Sequence, residues 1–143
     1  DQDPVVLLSL IRSISQCSIS TDLLNTNVRD VSTLSKTSEL ADGGVKMQWL
    51  RVHIPEWLQA STTCRVVIFS TSKRVLFLVQ HMLLQQGVHQ DVMGLYCGSV
   101  SLAQREVNVR EFQRPDGVLR VMLFTLSSGA LGLNLTNGNT VVF

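Results

Sequence analysis

The stretch RVVIFSTSKRVLFLVQHMLLQQG, residues 65–87, decides the fold. Its first six residues, 65–70, are largely β-branched and apolar on both faces, which is typical of a strand in a parallel sheet that helices cover on each side. A helical pattern follows at once, with Ser72 as the predicted N-cap and Gly87 as the predicted stop. A buried strand that leads directly into a helix predicts an α/β fold.

The same alternation continues to the end of the sequence. DVMGLYCGS (91–99) has the character of a strand, SLAQREVNVREFQ (101–113) is a predicted helix capped by Ser101, and LRVMLFT (119–125) is a further strand. TVVF (140–143) opens another strand. This order of elements predicts a doubly wound parallel sheet with right-handed crossovers.

Upstream, the sequence divides into a helix, a connector and the start of the domain. Residues 1–18 form a predicted lead-in helix, and residues 19–44 form a polar connector rich in Ser, Thr and Asn. A second helical pattern starts at Val45, and residues 45–143 form the predicted domain. Pro55 lies inside this helix, and we expect it to kink or split the helix because proline lacks an N–H.

The composition is that of a globular domain with nearly balanced charge. Hydrophobic residues make up 45% of the chain, charged residues 16%, and the formal net charge is +1. These values exclude a disordered chain and a basic tail, so any contact with nucleic acid must use local groups. No apolar run reaches the roughly 18 residues that a membrane span needs, so no membrane partner is predicted.

The cysteines indicate a reducing environment. Cys17, Cys64 and Cys97 are odd in number, widely spaced and without a CxxC pair. This pattern predicts reduced thiols in an intracellular protein, with two of the three buried. The histidines form no cluster with them, so we predict no metal site.

Candidate chemistry gathers where the predicted strands end. Ligands of open α/β sheets bind at the carboxyl ends of the strands. In this chain those ends are residues 70–72, 97–99 and 125–132, and all three are rich in hydroxyls or glycine. Backbone N–H groups and hydroxyls of this kind can bind phosphate oxygens. Ordinary strand-to-helix caps are the alternative explanation.

Several other kinds of site lack their sequence pattern. No GxxxxGK[ST] occurs, so the chain has no P-loop lysine, and neither GxGxxG after the first strand nor GxSxG is present. Cys97 as a nucleophile is disfavoured because a thiol at a strand end is more often structural. Trp49 and Trp57 fall on the apolar side of a helix, which favours core residues over a platform for stacking bases.

Three stretches of the predicted domain, and a fourth upstream of it, resemble one family. RVVIFS (65–70) resembles motif IV of the Swi/Snf branch of superfamily-two helicases, and LYCGSVSLAQREVNVREFQ (95–113) resembles the Gly-Ser element and helix of that branch. VMLFTLSSGALGLNLTNGNTVVF (121–143) resembles motif V, with the run from Gly132 to Thr136 as the strongest match. LLSLIRSISQCSISTDLL (7–24) resembles the helix that precedes the second lobe. Within the branch, the resemblance is closest to the transcription-termination-factor (lodestar) group.

The resemblance implies the second RecA-like lobe of a DNA-dependent ATPase. Such enzymes move along duplex DNA by opening and closing two lobes around ATP. The implied partners are duplex DNA and a first RecA-like lobe of the same parent protein, and the implied location is the nucleus. The implied cofactors are ATP and Mg²⁺, bound mainly by the first lobe.

The resemblance also implies roles for individual residues. The residues implied to contact DNA are Ser70, Thr71, Gly98, Ser99, Arg105 and Thr125. Those implied to lie near ATP or the other lobe are Gly129, Gly132 and Asn134. No catalytic residue and no metal ligand is implied. In the structural alternative the glycines only allow a tight turn, Asn134 only caps it, and Arg105 forms a surface salt bridge.

The match also has gaps. The first lobe and motif VI, which supplies an arginine finger, have no counterpart in the sequence, so the lobe is truncated before its last motif. We therefore expect the isolated chain to be inactive as an ATPase. Ala130 replaces a glycine that the family often has, and Cys97 replaces an acidic residue. The alternative function is a catalytically inactive lobe that binds protein or nucleic acid.

Overall fold

A computed structural model of the chain describes residues 44–128 and 132–143. The predicted lead-in helix (1–18), nearly all of the connector (19–44) and Gly129 lie outside these residues. The described helices are α1 (Val45–Ala60), α2 (Lys73–Gln85) and α3 (Leu102–Phe112), with single 3-10 turns at Gln90–Val92 and Leu126–Ser128. The described strands are β1 (Val66–Ser70), β2 (Met93–Tyr96), β3 (Val121–Thr125) and β4 (Thr140–Val142).

The four strands form one parallel sheet in the order β2-β3-β1-β4. Ser70 of β1 pairs with Thr125 of β3, and Tyr96 of β2 pairs with Phe124. On the other side of β1, Val66 pairs with Thr140 of β4. The prediction of a parallel α/β sheet is confirmed.

Helices cover both faces of this sheet. On one face, α1 and α2 pack over Ile68 and Leu123, and together they form the larger buried cluster. On the other face, α3 contributes Phe112 to a smaller cluster with Val67 and Phe124. All five positions of β3 are buried, as expected for a central strand covered on both sides. The doubly wound arrangement is therefore confirmed.

Two predictions concern helix α1. Pro55 does not split it, since the helix is continuous from Val45 to Ala60. Ile54 and Leu58 are buried on either side of the proline, and this packing holds the helix together despite the missing N–H. Trp49 is not a core residue, because its side chain is 45% exposed and stacks on His53 with ring centroids 4.1 Å apart.

The other local predictions are largely confirmed. Gly87 follows the end of α2 with φ +81°, a conformation that favours glycine. Cys64 and Cys97 are buried free thiols, as expected, whereas Cys17 lies outside the described residues. In the part of the chain that the structure describes, no helix is long and apolar enough to cross a membrane.

The two predicted N-cap serines behave differently. Ser101 Oγ accepts a hydrogen bond from the N–H of Gln104 at 3.2 Å. Ser72 occupies the N-cap position of α2 but its side chain makes no capping bond, so that prediction is wrong. Ser70 Oγ accepts from the N–H of Ser72 at 3.2 Å, a different donor from the N–H groups of α2 that a cap side chain would serve.

This difference predicts unequal effects of the two serine-to-alanine substitutions. Ser101→Ala should lower the free energy of unfolding by about 1 kcal/mol, because it removes the acceptor of an N-terminal N–H of α3. Ser72→Ala is the matched control and should change it by less than about 0.5 kcal/mol. Urea unfolding of the two variants and the wild type measures both values, and equal losses would contradict the assignment.

Candidate nucleic-acid interface at the strand ends

The carboxyl ends of three neighbouring strands meet at one edge of the sheet. Ser70 of β1 lies directly beside Thr125 of β3. On the other side of β3, Tyr96 pairs with Phe124, so residues 97–99 follow on next to Thr125. The structure therefore brings together the hydroxyl-rich and glycine-rich ends on which the sequence prediction rested.

The end of β1 leads into α2 with its polar groups facing outward. Thr71 is exposed and Ser70 is half-buried. The first turn of α2 carries Lys73, which is exposed, and no acidic residue. Free N–H groups at a helix start together with hydroxyls and a nearby cation can bind an anion such as a phosphate.

The end of β2 offers an open surface beside a buried thiol. Gly98 and Ser99 are exposed, and a Cβ at Gly98 would meet no atom within 4 Å. Cys97 is fully buried, and its Sγ lies 3.0 Å from Ser99 Oγ. The thiol thus belongs to the interior, and the two residues after it form the accessible surface.

The end of β3 holds the start of the connection to β4. Thr125 is only 4% exposed, so its hydroxyl does not reach the surface in this conformation. Its carbonyl oxygen lies 2.6 Å from Ser128 Oγ, which is also 3.1 Å from the carbonyl oxygen of Tyr96. Ser128 therefore bridges β3 and β2 at their carboxyl ends.

Arg105 is turned toward the protein. Its Nε donates to the carbonyl of Val100 at 2.8 Å, and its Nη1 donates to the carbonyl of Ser128 at 3.4 Å. The guanidinium also lies 5.5 Å from the ring centroid of Tyr96. Among the described residues it forms no ion pair, so the predicted surface salt bridge is wrong, because backbone carbonyls and an aromatic face occupy the donors instead.

The second half of the β3–β4 connection runs away from the strand ends. Gly132 has φ +88°, in the left-handed region, and a Cβ there would meet nothing within 4 Å. Asn134 is exposed, and its carbonyl accepts a hydrogen bond from Gln113 Nε2 just beyond α3. Parallel strands require the connection to pass from the carboxyl edge of β3 to the amino edge of β4. Asn134 therefore lies toward the opposite edge from Ser70.

An apolar cavity of about 530 Å³ lies beside the end of β1. Helices α1 and α2 form one side of it and the edge strand β4 another. Its polar lining consists of Lys46, Ser70 and Thr71. Its apolar lining includes Val45, Trp49, Phe69, Val75, Leu126 and Phe143.

Two acidic side chains are paired with an arginine at the other end of α3. Arg114 forms ion pairs of 3.2 Å with Glu111 and with Asp116. The hydrogen bond from Arg114 lowers the pKa of the Asp116 carboxyl. Within residues 44–128 and 132–143 no group of three or more His, Cys, Asp or Glu side chains could hold a metal ion. These two carboxylates lie just beyond or at the end of α3 and belong to no such group.

Sequence reasoning missed three residues that shape this region. Ser128 bridges two strands, and Gln113 and Asn137 tie the connection to the end of α3. Ser128 carried a weak signal, since it belongs to the Ser-Ser-Gly run after β3. Gln113 and Asn137 carried no such signal in the sequence, because polar residues just beyond a helix and in a turn are common on any surface.

Comparison with known proteins agrees with the fold. The sequence matches the family described as the helicase conserved C-terminal domain over residues 45–143. The C-terminal domain of a Sulfolobus solfataricus SWI2/SNF2 ATPase superposes with a TM-score of 0.67 and 17% identity, over 94% of this chain and 53% of that one. At this identity the superposition shows a shared fold.

Two longer proteins are similar in sequence. TATA-binding protein-associated factor 172 of Homo sapiens is 38% identical over 79 residues, which are 55% of this chain and 4% of that protein. DNA repair protein RAD5 of Cryptococcus neoformans var. neoformans is 30% identical over 96 residues, or 67% of this chain and 8% of that protein. The chain spans only a small part of either relative. By its sequence match over residues 45–143, the chain belongs to the helicase conserved C-terminal domain family.

Proposed function

We propose that this chain is the second RecA-like lobe of an ATPase that moves along duplex DNA. The parent protein would use ATP to displace or remodel proteins on DNA, in chromatin, transcription termination or repair, in the nucleus. Two relatives are named as a TATA-binding protein-associated factor and a DNA repair protein, which supports a role of this kind. The closeness to the transcription-termination-factor group stays a prediction.

The observation that carries the proposal is the strand-end surface. Thr71, Gly98 and Ser99 are exposed where β1 and β2 end, and Ser70 pairs with Thr125 of β3, the strand between them. Hydroxyls and backbone N–H groups bind the phosphate backbone without reading its sequence. A translocase needs contacts of this kind, because it must release and rebind every sequence that it passes.

ATP and Mg²⁺ are assigned mainly to the first lobe in this proposal. The described residues do not fit an Mg²⁺ site of their own, since no cluster of acidic side chains lies among them. The sequence also has no P-loop lysine. This lobe contributes Gly132 and its neighbours to the closed state, and Gly129 has the same proposed role.

The experiment is an ATPase assay on the full-length protein with and without duplex DNA. The proposal expects hydrolysis that duplex DNA stimulates at least about tenfold, which corresponds to about 1.4 kcal/mol of differential stabilisation. The isolated chain should bind DNA weakly and hydrolyse no ATP. Equal rates with and without DNA would overturn the proposal. DNA binding by a full-length protein that hydrolyses no ATP would favour the inactive binding module.

Gly132 provides a test of the connection itself. Gly132→Ala should lower the DNA-stimulated rate about tenfold, because a Cβ disfavours φ +88° and displaces the loop. Gly87→Ala is a matched control, since Gly87 also has positive φ and open space around it but lies at the end of α2. Both variants should lose about 1–2 kcal/mol of stability.

The two readouts together decide the role of this glycine. If both variants lose the same stimulation, Gly132 acts only through stability. Gly132→Asn should recover part of the rate, since asparagine tolerates positive φ better than alanine does. Failure of this recovery would mean that φ is not what the position requires.

A further inference from the structure

Helix α3 contacts the β3–β4 connection near both of its ends. Near the carboxyl edge of the sheet, Arg105 Nη1 donates to the carbonyl of Ser128 at 3.4 Å. Near the amino edge, Gln113 Nε2 donates to the carbonyl of Asn134, and Gln113 Oε1 accepts from the N–H of Asn137 at 3.0 Å. One helix therefore holds both described arms of the connection, residues 126–128 and 132–139.

We propose that Gln113 is a positioning residue that fixes the 132–139 arm, and with it the placement of Gly132, for DNA-stimulated ATP hydrolysis. This inference rests on the proposed function. Arg105 makes the corresponding contact with the other arm, residues 126–128. Because both residues hydrogen-bond the connection, a shift of α3 would shift the connection with it.

The geometry at Gln113 is specific to its side chain. The primary amide uses its N–H and its carbonyl at the same time, one toward Asn134 and the other toward Asn137. The side-chain amide of Asn137 makes a bond in the opposite direction, and its Nδ2 donates to the backbone carbonyl of Gln113 at 2.6 Å. Aspartate, glutamate and apolar side chains cannot reproduce a donor and an acceptor in one planar group.

Gln113 is held in place by its neighbour in the chain. Phe112 is completely buried and is the one buried residue of α3. It packs among Val67, Met122 and Phe124 under the sheet. A flexible polar side chain positions a loop only when its own backbone is fixed, and Phe112 provides that anchor one residue away.

Before Asn139, the arm that Gln113 holds has few other ties. Leu133 and Leu135 are only partly buried against the smaller cluster, and Gly132 and Thr136 are exposed. Strand β4, which the arm enters, has three residues. Three hydrogen bonds join Gln113 to Asn134 and Asn137, and they restrain the arm up to Asn137. Asn139 separately ties the end of the arm to Arg65, whose N–H donates to Asn139 Oδ1 at 2.9 Å.

The test compares Gln113→Met with Gln104→Met in the full-length protein. Both substitutions replace a glutamine on or next to α3 by methionine, which has a similar shape. Gln104 differs in that it is exposed and contacts Asn108 of the same helix instead of the connection. Hydrogen exchange of the Asn137 amide reports the contact, and ATPase assays with varied duplex DNA and varied ATP report the function. Urea unfolding shows whether each variant is folded.

Gln113→Met should raise the exchange rate of the Asn137 amide and lower the DNA-stimulated kcat, each about tenfold, with the KM for ATP and the unstimulated rate unchanged. Gln104→Met should change neither. Gln113→Glu retains the acceptor for Asn137 but not the donor for Asn134, so it should fall between methionine and wild type.

Three results would overturn the proposal. Unchanged exchange at Asn137 in Gln113→Met would show that the contact does not hold the arm. Faster exchange with an unchanged stimulated kcat would show that the contact is only structural. A wild-type protein without DNA stimulation would overturn the proposed function and the positioning role together, while the exchange data would still report whether the contact restrains the arm.

Discussion

Replacing Arg65 by methionine is expected to lower the free energy of unfolding by about 3 kcal/mol. Arg65 is 5% exposed at the start of β1, and its Nη1 donates to the carbonyl of Leu119. Its Nη2 lies 2.6 Å and 3.0 Å from the carbonyl oxygens of Arg114 and Pro115. Methionine fills similar space but takes the donor away from the buried carbonyl of Leu119, and an unpaired buried carbonyl costs about 1–3 kcal/mol. The variant also loses the bonds to Arg114 and Pro115, whose residues are exposed, and the Arg114 carbonyl keeps the N–H of Gly117 as a donor.

The position of Arg65 explains why the loss should be large. The Arg65 guanidinium joins the turn after α3 to the start of β1. It lies 5.8 Å from the ring centroid of Phe112. The Arg65 N–H also donates to Asn139 Oδ1 at 2.9 Å, which the substitution leaves intact. The expected loss therefore isolates the contribution of the side chain.

Urea unfolding followed by circular dichroism measures the Arg65 effect. Arg65→Lys should recover about half of the loss, because one ammonium reaches fewer of these carbonyls than a planar guanidinium does. Arg110→Met is the control, since Arg110 is exposed on α3 and should contribute at most about 0.5 kcal/mol. A change of less than about 0.5 kcal/mol in Arg65→Met would contradict the assigned role.

Phe112→Ala should cost about 3–5 kcal/mol of stability. Phe112 is fully buried, and no other residue of α3 is buried, so its ring supplies most of the apolar packing of that helix against the sheet. Truncation leaves a cavity among Val67, Met122 and Phe124, which are themselves almost fully buried and have little room to close it.

A milder variant keeps the Phe112 prediction measurable if the alanine variant does not fold. Phe112→Leu should lose about 1.5 kcal/mol, because most of the volume is retained. Val107→Ala is the control on the same helix, with a side chain that is 46% exposed, and should change stability by at most about 0.5 kcal/mol. A loss below about 1 kcal/mol in Phe112→Ala would show that α3 does not depend on this ring.

The strands and helices were predictable because their signals are local. The apolar run at 65–70 and the helical pattern after it are complete within the residues that form β1 and α2. Periodicity failed at Trp49, which the pattern assigned to the core although 45% of it is exposed. The position of the sheet decides which face of α1 is buried. A wide apolar stripe therefore does not reveal which residues at its margins are exposed.

The candidate site was predictable only in outline. The rule that ligands bind at the carboxyl ends of parallel strands placed Ser70, Gly98 and Thr125 at one edge, where the structure has them. It did not predict that Thr125 is buried or that Arg105 faces the protein. Which atoms of a strand end reach solvent depends on the turn that follows, and that turn is shaped by contacts with other elements.

The sequence by itself determined the alternation of strands and helices and the resemblance to one helicase lobe, because both depend on residues that are close together in the chain. Only the tertiary structure decided the strand order β2-β3-β1-β4 and the burial of Arg65. It also decided the ties between Gln113 and Asn137. Arg65 and Leu119 are 54 residues apart, and Gln113 and Asn137 are 24 apart. Hydrogen bonds across such separations exist only after the sheet has brought distant backbone groups together, so no local pattern records them.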